Sequence, residues 1–403
     1  MAATGSGPLS GRRVVELGRA LAAPWAGQML ADLGAEVIKV ERPGTGDDTR
    51  GWGPPFLASG ESAYFLGANR GKQSIELDVK TADGQRVVRE LAAEADILIE
   101  NFKAGALAAM GLGYDDLAQT HPHLVYCSIS GFGQSGPRSV QPAYDFAIQA
   151  MGGLMSITGE QDGLAGGPQK VGVPIIDMTT GMYAVIGILG ALERRHATGR
   201  GDWVAVSMLD VEVALLSNQA MSYLISGKVP GRTGNRHPSI QPQDVFPCRD
   251  GDIAIAVGTD AQFAALCAVL GLEGIAESEQ FARNSERVQN ADRLRSLLAD
   301  RLRQADRGRW VEALSASGVP CAPINSIDEV FADPQVIHNG VVTELAHPTA
   351  GTVPQIGIPI RMRSADLGPR LRPPLLGEHT EAVLRRLDGG AEASRAARGG
   401  RAR

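Results

Sequence analysis

Short apolar runs alternate with helical stretches through the first half of the chain, and no other feature constrains the fold as strongly. In residues 13–41, "RVVEL" reads as a strand and "APWAGQMLADLG" carries apolar residues at helical spacing, closing on Gly34. "AEVIKVE" then reads as a second strand. "KQSIELDV", a helix from Gln85 to Ala95 and "DILIE" repeat the unit, and "LVYCSIS" runs into the loop "GFGQSGP". Further on, "DWVAVSML" reads as a strand and "VEVALLSNQAMSYLI" as a helix. Strands separated by helices at this spacing pair in parallel and are covered by those helices, so the fold class is α/β.

After Ile225 the texture changes. "SGKVPGRTGNRHPSIQPQ" is rich in Gly, Pro and polar residues, as a linker or the wall of a site would be. A strand pair around "DVFPCRDGDIAIAVG" and two or three charged amphipathic helices over about 261–316 suggest a smaller α+β domain. The expected organisation is a large domain over 1–222, a linker and small domain over 223–325, and a loop-rich return segment over 326–388. Residues 389–403 lack an apolar pattern to bury and read as a disordered tail. A chain of 403 residues accommodates two such domains.

A net charge of −6 argues against a general nucleic-acid binder. Cys127, Cys248, Cys267 and Cys321 are widely spaced with no CxxC, which suggests neither a zinc site nor a redox pair; buried thiols in a reducing compartment are the simpler reading. The stretch "MAATGSGPLSGRR" lacks the apolar core of a signal peptide, and the most apolar run, Met178 to Leu192, is shorter than a membrane span needs. The expectation is a soluble, cytoplasmic protein with no metal and no tightly bound cofactor.

An opening strand–helix–strand unit invites a dinucleotide-binding reading, with Glu41 at the end of the second strand as the ribose ligand. That chemistry needs glycines where the backbone meets the pyrophosphate. The turn here is "GRALAAP", with one glycine, so the reading fails. "GFGQSGP" has no following Lys-Ser/Thr, so it is not a P-loop.

The stretch "VGVPIIDMTTGMYA" (171–184) raises a sharper question. An apolar run that looks like a buried strand ends on Asp177, and an apolar helix follows over 181–198, with Arg194, Arg195 and His196 in its last turn and Gly199 beyond. Asp177 is either a helix cap or a reactive carboxylate, and its residue type alone leaves both open.

In order along residues 8–388 come "ADLGAEVIKVERPGTGDDTRGWGPP", "NRGKQSIELDVK", "ADILIENFKAGALAAMGLGYDDL", "AYDFAIQAMGGLMSITG", "IIDMTTGMYAVIGILGALERRHATGRG" and "RPPLLGEHT". Together these stretches resemble the family III CoA-transferases, the group containing formyl-CoA transferase, carnitine CoA-transferase and α-methylacyl-CoA racemase. The resemblance implies an interlocked, ring-like homodimer with a Rossmann-like large domain built from both chain ends. It also implies that Asp177 attacks an acyl-CoA thioester, forming an aspartyl anhydride and then an aspartyl-CoA thioester, with the backbone of Leu21 and Ala22 holding reacting oxygens. "RVVELGRALAAP", "GDDTRGWGPPF", the "HPSIQP" loop and "DPQVIHNG" look like the branch that moves CoA between succinyl-CoA and dicarboxylates such as glutarate or hydroxymethylglutarate.

Family members that racemise carry histidine where this chain has Tyr144. A tyrosine, with a reference pKa near ~10, serves poorly as the second base, which favours a transferase over an α-methylacyl-CoA racemase. A non-catalytic CoA-binding protein is the alternative from another class. Carried over by motif, Arg42 and Lys72 are candidates for the CoA phosphates, and Asn101, Phe102 and Met110 for the adenosine. Without the resemblance, the two cations read as solvated surface. The chain departs from the family at Ala109 and Pro142, where some members have arginine and lysine. Arg50, Arg232, Arg236 and His237 are the candidates for an acceptor's second carboxylate.

Overall fold

The computed structural model describes residues 7–368 and 370–399, with side chains described as far as residue 389. The chain divides into two compact units: one formed by 1–154, 171–221 and 339–403, the other by 155–170 and 222–338. The chain thus returns to the first unit at Asn339 rather than at 326, and residues 155–170 go with the second unit.

The first unit is built on six strands: β1 (Arg13–Glu16), β2 (Glu36–Glu41), β3 (Lys72–Glu76), β4 (Ile97–Glu100), β5 (Val125–Ser130) and β6 (Trp203–Ser207). They pair in the order β3-β2-β1-β4-β5-β6, all parallel. Strands covered on both faces read as continuous apolar runs rather than alternating ones, which is why "DILIE" and "LVYCSIS" were legible. The helices of this unit are α1 (Ala22–Asp32), α2 (Ala63–Leu66), α3 (Ala82–Glu94), α4 (Tyr114–Thr120), α5 (Asp145–Met151), α7 (Ile175–Thr198) and α8 (Met208–Leu215). The short α6 (Leu154–Ile157) and α9 (Ser217–Ser226) straddle the unit boundaries. Val14, Ile97, Ile99, Val125 and Cys127 pack with α1 and α7 on one face; Val15, Ile38, Leu98 and Tyr126 pack with α3 on the other. The neighbours of β1 diverge, β2 to one side and β4 to the other, so the crevice at the carboxyl ends of β1 and β4 is a topological switch point, where sheets of this kind bind ligands.

The α7 helix starts six residues earlier than its pattern suggests, and at 24 residues it is long and apolar enough to cross a membrane by length and composition. Its Ala184, Ile188 and Ala191 are buried in the core, whereas Met182, Tyr183, Ile186 and Leu189 are exposed.

The second unit holds an antiparallel sheet of β7 (Gln243–Pro247), β8 (Asp252–Ala256) and β9 (Cys321–Pro323). Five helices, not two or three, cover 260–316: α10 (Asp260–Leu270), α11 (Glu273–Ala276), α12 (Asn284–Gln289), α13 (Ala291–Leu302) and α14 (Arg307–Ala316). The unit ends with α15 (Ile327–Ala332) and α16 (Pro334–His338). Back in the first unit come the hairpin β10 (Val342–His347) and β11 (Gly351–Ile356), then α17 (Thr380–Gly399). The start of α17 is tied to the edge strand: Glu76 N–H donates to Thr380 Oγ1 at 3.0 Å, and His379 N–H to the Ser74 carbonyl at 2.9 Å. Backbone helix therefore covers residues 389–399, where the sequence suggests no structure; residues 400–403 lie outside the described residues.

Candidate active site

The turn after β1 is held in an unusual shape. Ala20 adopts φ +62°, a left-handed conformation that costs a non-glycine residue roughly 1 kcal/mol or more, and α1 begins at Ala22 with Leu21 as its cap. Leu21 offers this helix no side-chain cap, so its first N–H groups are available to another acceptor. Asn101, just beyond β4, accepts from the Arg19 N–H at 3.0 Å and donates to the Arg19 carbonyl at 2.8 Å, stitching the two loops together across the switch point.

Asp177 meets that turn from above. Gly181, one turn further along α7, lies so close to α1 that an added Cβ would sit 2.8 Å from the Ala22 carbonyl oxygen and 3.1 Å from Trp25. This close approach sets the Ala22 N–H near enough to the Asp177 carboxylate to favour its ionised form. No strand precedes Asp177: residues 171–174 are irregular and Pro174 takes the cap position, its ring having no N–H to offer a ladder.

Neither does Asp177 cap its own helix. That role falls to Asp145 at the start of α5, whose Oδ1 accepts from the N–H groups of Ile176 at 2.7 Å and Asp177 at 3.1 Å; its Oδ2 is held by Gln149. The helix terminus thus spends its donors on Asp145. Burial, reinforced by the Asp145 charge and only partly offset by the Ala22 hydrogen bond, pushes the Asp177 carboxyl up to about 7. A helix N-terminus would ordinarily help to keep such a carboxylate ionised, but here the Ile176 and Asp177 N–H groups are already taken by Asp145.

Tyr144 caps α5 in position but not by hydrogen bond, and its ring is 63% exposed. Sequence reasoning missed Tyr64. Burial raises the pKa of its phenol, the nearby Asp177 and Asp145 charges add to the rise, and its ring meets Trp52 edge-on at 5.2 Å. Only an aromatic pair in a Gly/Pro-rich loop marked it in the sequence.

The candidate cofactor residues divide. Asn101 and Phe102 sit at the switch point. Phe102 and Met110 pack on the α3-side core, and the Met110 carbonyl accepts from Arg89. Behind this loop a cavity of about 340 Å³ is lined by Lys103, Leu107, Tyr114, Trp203 and Glu100, whose carboxyl burial pushes up to about 7. Arg42 is half exposed and pairs with Asp48. Lys72 is neither surface nor free: its fully buried ammonium lies 2.8 Å from Glu16 and donates to the Pro24 carbonyl at 2.8 Å and to Asn69 at 2.9 Å. It has nothing left for a phosphate, which corrects its assignment to CoA.

Among the acceptor candidates, Arg50 is likewise committed. It forks onto Glu41 at 2.6 and 2.8 Å, donates to the Pro374 carbonyl and stacks 3.7 Å over Phe65. The other three belong to the second unit. Arg232 pairs with Asp162, Arg236 with Asp292 at 2.8 Å, and His237 Nδ1 accepts from the Ser239 N–H at 3.1 Å. Among the described residues, no group of three or more His, Cys, Asp or Glu side chains is placed to hold a metal ion.

Residues 9–380 match the family described as CoA-transferase family III. The chain is 46% identical over 386 residues to a succinate–glutarate CoA-transferase of Agrobacterium fabrum, covering 94% of this chain and 96% of that protein. It is 43% identical over 380 residues to the succinyl-CoA:glutarate CoA-transferase of Homo sapiens, covering 94% and 86%. Among solved structures, a CAIB/BAIF family protein from Brucella suis superposes with a TM-score of 0.83 at 47% identity, covering 95% of this chain and all of that one.

Proposed function

Because the chain belongs to CoA-transferase family III and is a CoA-transferase, we propose that it moves CoA from succinyl-CoA to a small dicarboxylate, glutarate or hydroxymethylglutarate, with Asp177 as the nucleophile. The observation that carries this reading is a desolvated carboxylate packed beside the start of α1 and its Ala22 N–H, next to the switch point.

The Asp177 carboxylate attacks the thioester carbonyl; the C–S bond breaks, and CoA thiolate leaves an aspartyl–succinyl anhydride. The thiolate then attacks the aspartyl carbonyl, releasing succinate and forming an aspartyl-CoA thioester. The acceptor carboxylate attacks that thioester and expels the thiolate, which attacks the acceptor's acyl carbon. New acyl-CoA leaves and Asp177 is regenerated as carboxylate. Each step exchanges one carboxylate or thiolate for another, so no proton need be moved. An acid titrating near 7 is ionised in about half the molecules at neutral pH, and its desolvation favours attack. The Ala22 N–H, with that of Leu21, stabilises the oxyanion of each tetrahedral intermediate.

Asn101, Phe102, Met110 and Arg42 remain the proposed CoA contacts, and Arg232, Arg236 and His237 the acceptor contacts. A homodimer is part of the proposal: it would cover the exposed Met182, Tyr183, Ile186 and Leu189 along α7, and light scattering in solution would read twice the chain mass. Incubation with succinyl-CoA and a panel of carboxylates, followed by mass spectrometry of the acyl-CoA products, tests the substrate assignment. Glutaryl-CoA or hydroxymethylglutaryl-CoA should form fastest; exchange confined to monocarboxylates would overturn it.

A further inference from the structure

The "GRALAAP" turn is gripped from beneath by a buried charge network. Glu16, Lys39, Asp47 and Lys72 all have fully buried side chains. Glu16 lies 2.8 Å from both ammonium groups, and Lys39 is also 2.9 Å from Asp47. Three of the four keep one hydrogen bond for the turn's backbone. Lys39 donates to the Gly18 carbonyl at 2.8 Å, Asp47 accepts from the Ala20 N–H at 3.1 Å, and Lys72 donates to the Pro24 carbonyl at 2.8 Å. Gly27 on α1 leaves room for this: a Cβ there would lie 1.9 Å from Glu16 Oε2.

Stability alone does not account for such a network, because buried ion pairs commonly do no better than apolar residues of the same volume. Backbone donors that stabilise a developing charge, however, work only when they are fixed before the reaction. A turn strained at Ala20 needs an external hold to stay in that shape. We propose that Glu16, Lys39, Asp47 and Lys72 are positioning residues, clamping the turn at Gly18, Ala20 and Pro24 so that the Ala22 amide meets the oxyanion formed at Asp177. The proposal rests on the reading of Asp177 as nucleophile, and it gives Lys72 a role other than holding phosphate.

The test uses two variants of the full chain. Glu16→Gln/Lys72→Met removes one cation and one anion together, keeps an acceptor for Lys39 and releases the Pro24 carbonyl; Asp47→Ala releases the Ala20 N–H. The control, Asp32→Leu/Arg70→Met, deletes a buried pair 2.6 Å apart whose side chains hydrogen-bond to each other and not to the turn's backbone. Both clamp variants should lose roughly 10- to 100-fold in kcat, with KM for donor and acceptor within about twofold. Hydroxylamine trapping at Asp177 should slow in step, while the control keeps its kcat even where its melting temperature falls as far. Folded clamp variants with wild-type kcat and trapping rate would overturn the proposal, as would an equal kcat loss in the control. If the double variant fails to fold, Asp47→Ala decides. Failure of the nucleophile reading is distinguishable, because wild-type protein would then give no Asp177 adduct at all.

Discussion

Replacing Asp177 with asparagine should stabilise the protein, and by an amount that depends on pH. In the folded chain burial and Asp145 lift the Asp177 carboxyl from 3.8 to about 7. The folded state therefore resists ionisation that the unfolded state undergoes freely. This penalty is absent below the unfolded pKa, grows as pH rises through the window between the two values, and is complete above the folded one. Integrating across that window gives up to about 1.5 kcal/mol near pH 5 and up to about 4 kcal/mol near pH 8. Asparagine keeps an oxygen for the Ala22 N–H but carries no charge, and contributions from groups that do not interact with Asp177 cancel between the two proteins. The stability advantage of Asp177→Asn over wild type should therefore widen by about 2.5 kcal/mol between these pH values, a matter of several degrees in melting temperature. Thermal melts of both proteins across pH 5 to 8 measure this directly. A constant difference, or one that narrows as pH rises, would show that the carboxyl is not raised and would refute the electrostatic account of its reactivity.

Asp145→Asn keeps an oxygen to cap α7 but removes the charge facing Asp177, Tyr64 and Glu212, so the acid limb of the kcat/KM profile should move to lower pH by on the order of one unit. Gly181→Ala should force α7 off α1 at the Ala22 carbonyl, costing about 1 to 3 kcal/mol of stability and reducing kcat more than KM. Arg50→Met leaves Glu41 buried without its fork, so denaturant melts should show a loss of about 3 to 5 kcal/mol, with no selective rise in the acceptor's KM.

Much of the scaffold was legible because period and burial agree: "AEVIKVE", "DILIE" and "LVYCSIS" are rich in apolar residues and buried on both faces, as strands in the middle of a covered parallel sheet must be. The start of α7 misled for a related reason. Val171, Val173 and Ile175 alternate as a strand would, but Pro174 and a cap supplied from 32 residues upstream decide the structure there, and neither leaves a local pattern. The same limit hid the fates of Lys72 and Arg50. A cation in sequence carries no sign of whether an acid from another part of the chain will neutralise it, and here Glu16 and Glu41, from β1 and β2, do so. Tyr64 reaches the site from the short α2, whose placement depends on contacts distant in sequence, so its position was visible only once the chain had folded.

The central claim, that Asp177 carries the acyl group, is tested most directly by trapping it. Protein incubated with succinyl-CoA and hydroxylamine is digested and the peptide bearing Asp177 is weighed by mass spectrometry. A hydroxamate on Asp177 in the wild type, absent without succinyl-CoA, together with loss of CoA exchange in Asp177→Ala, is the predicted result. Undiminished exchange in Asp177→Ala, or exchange in the wild type with that peptide unmodified, would contradict it.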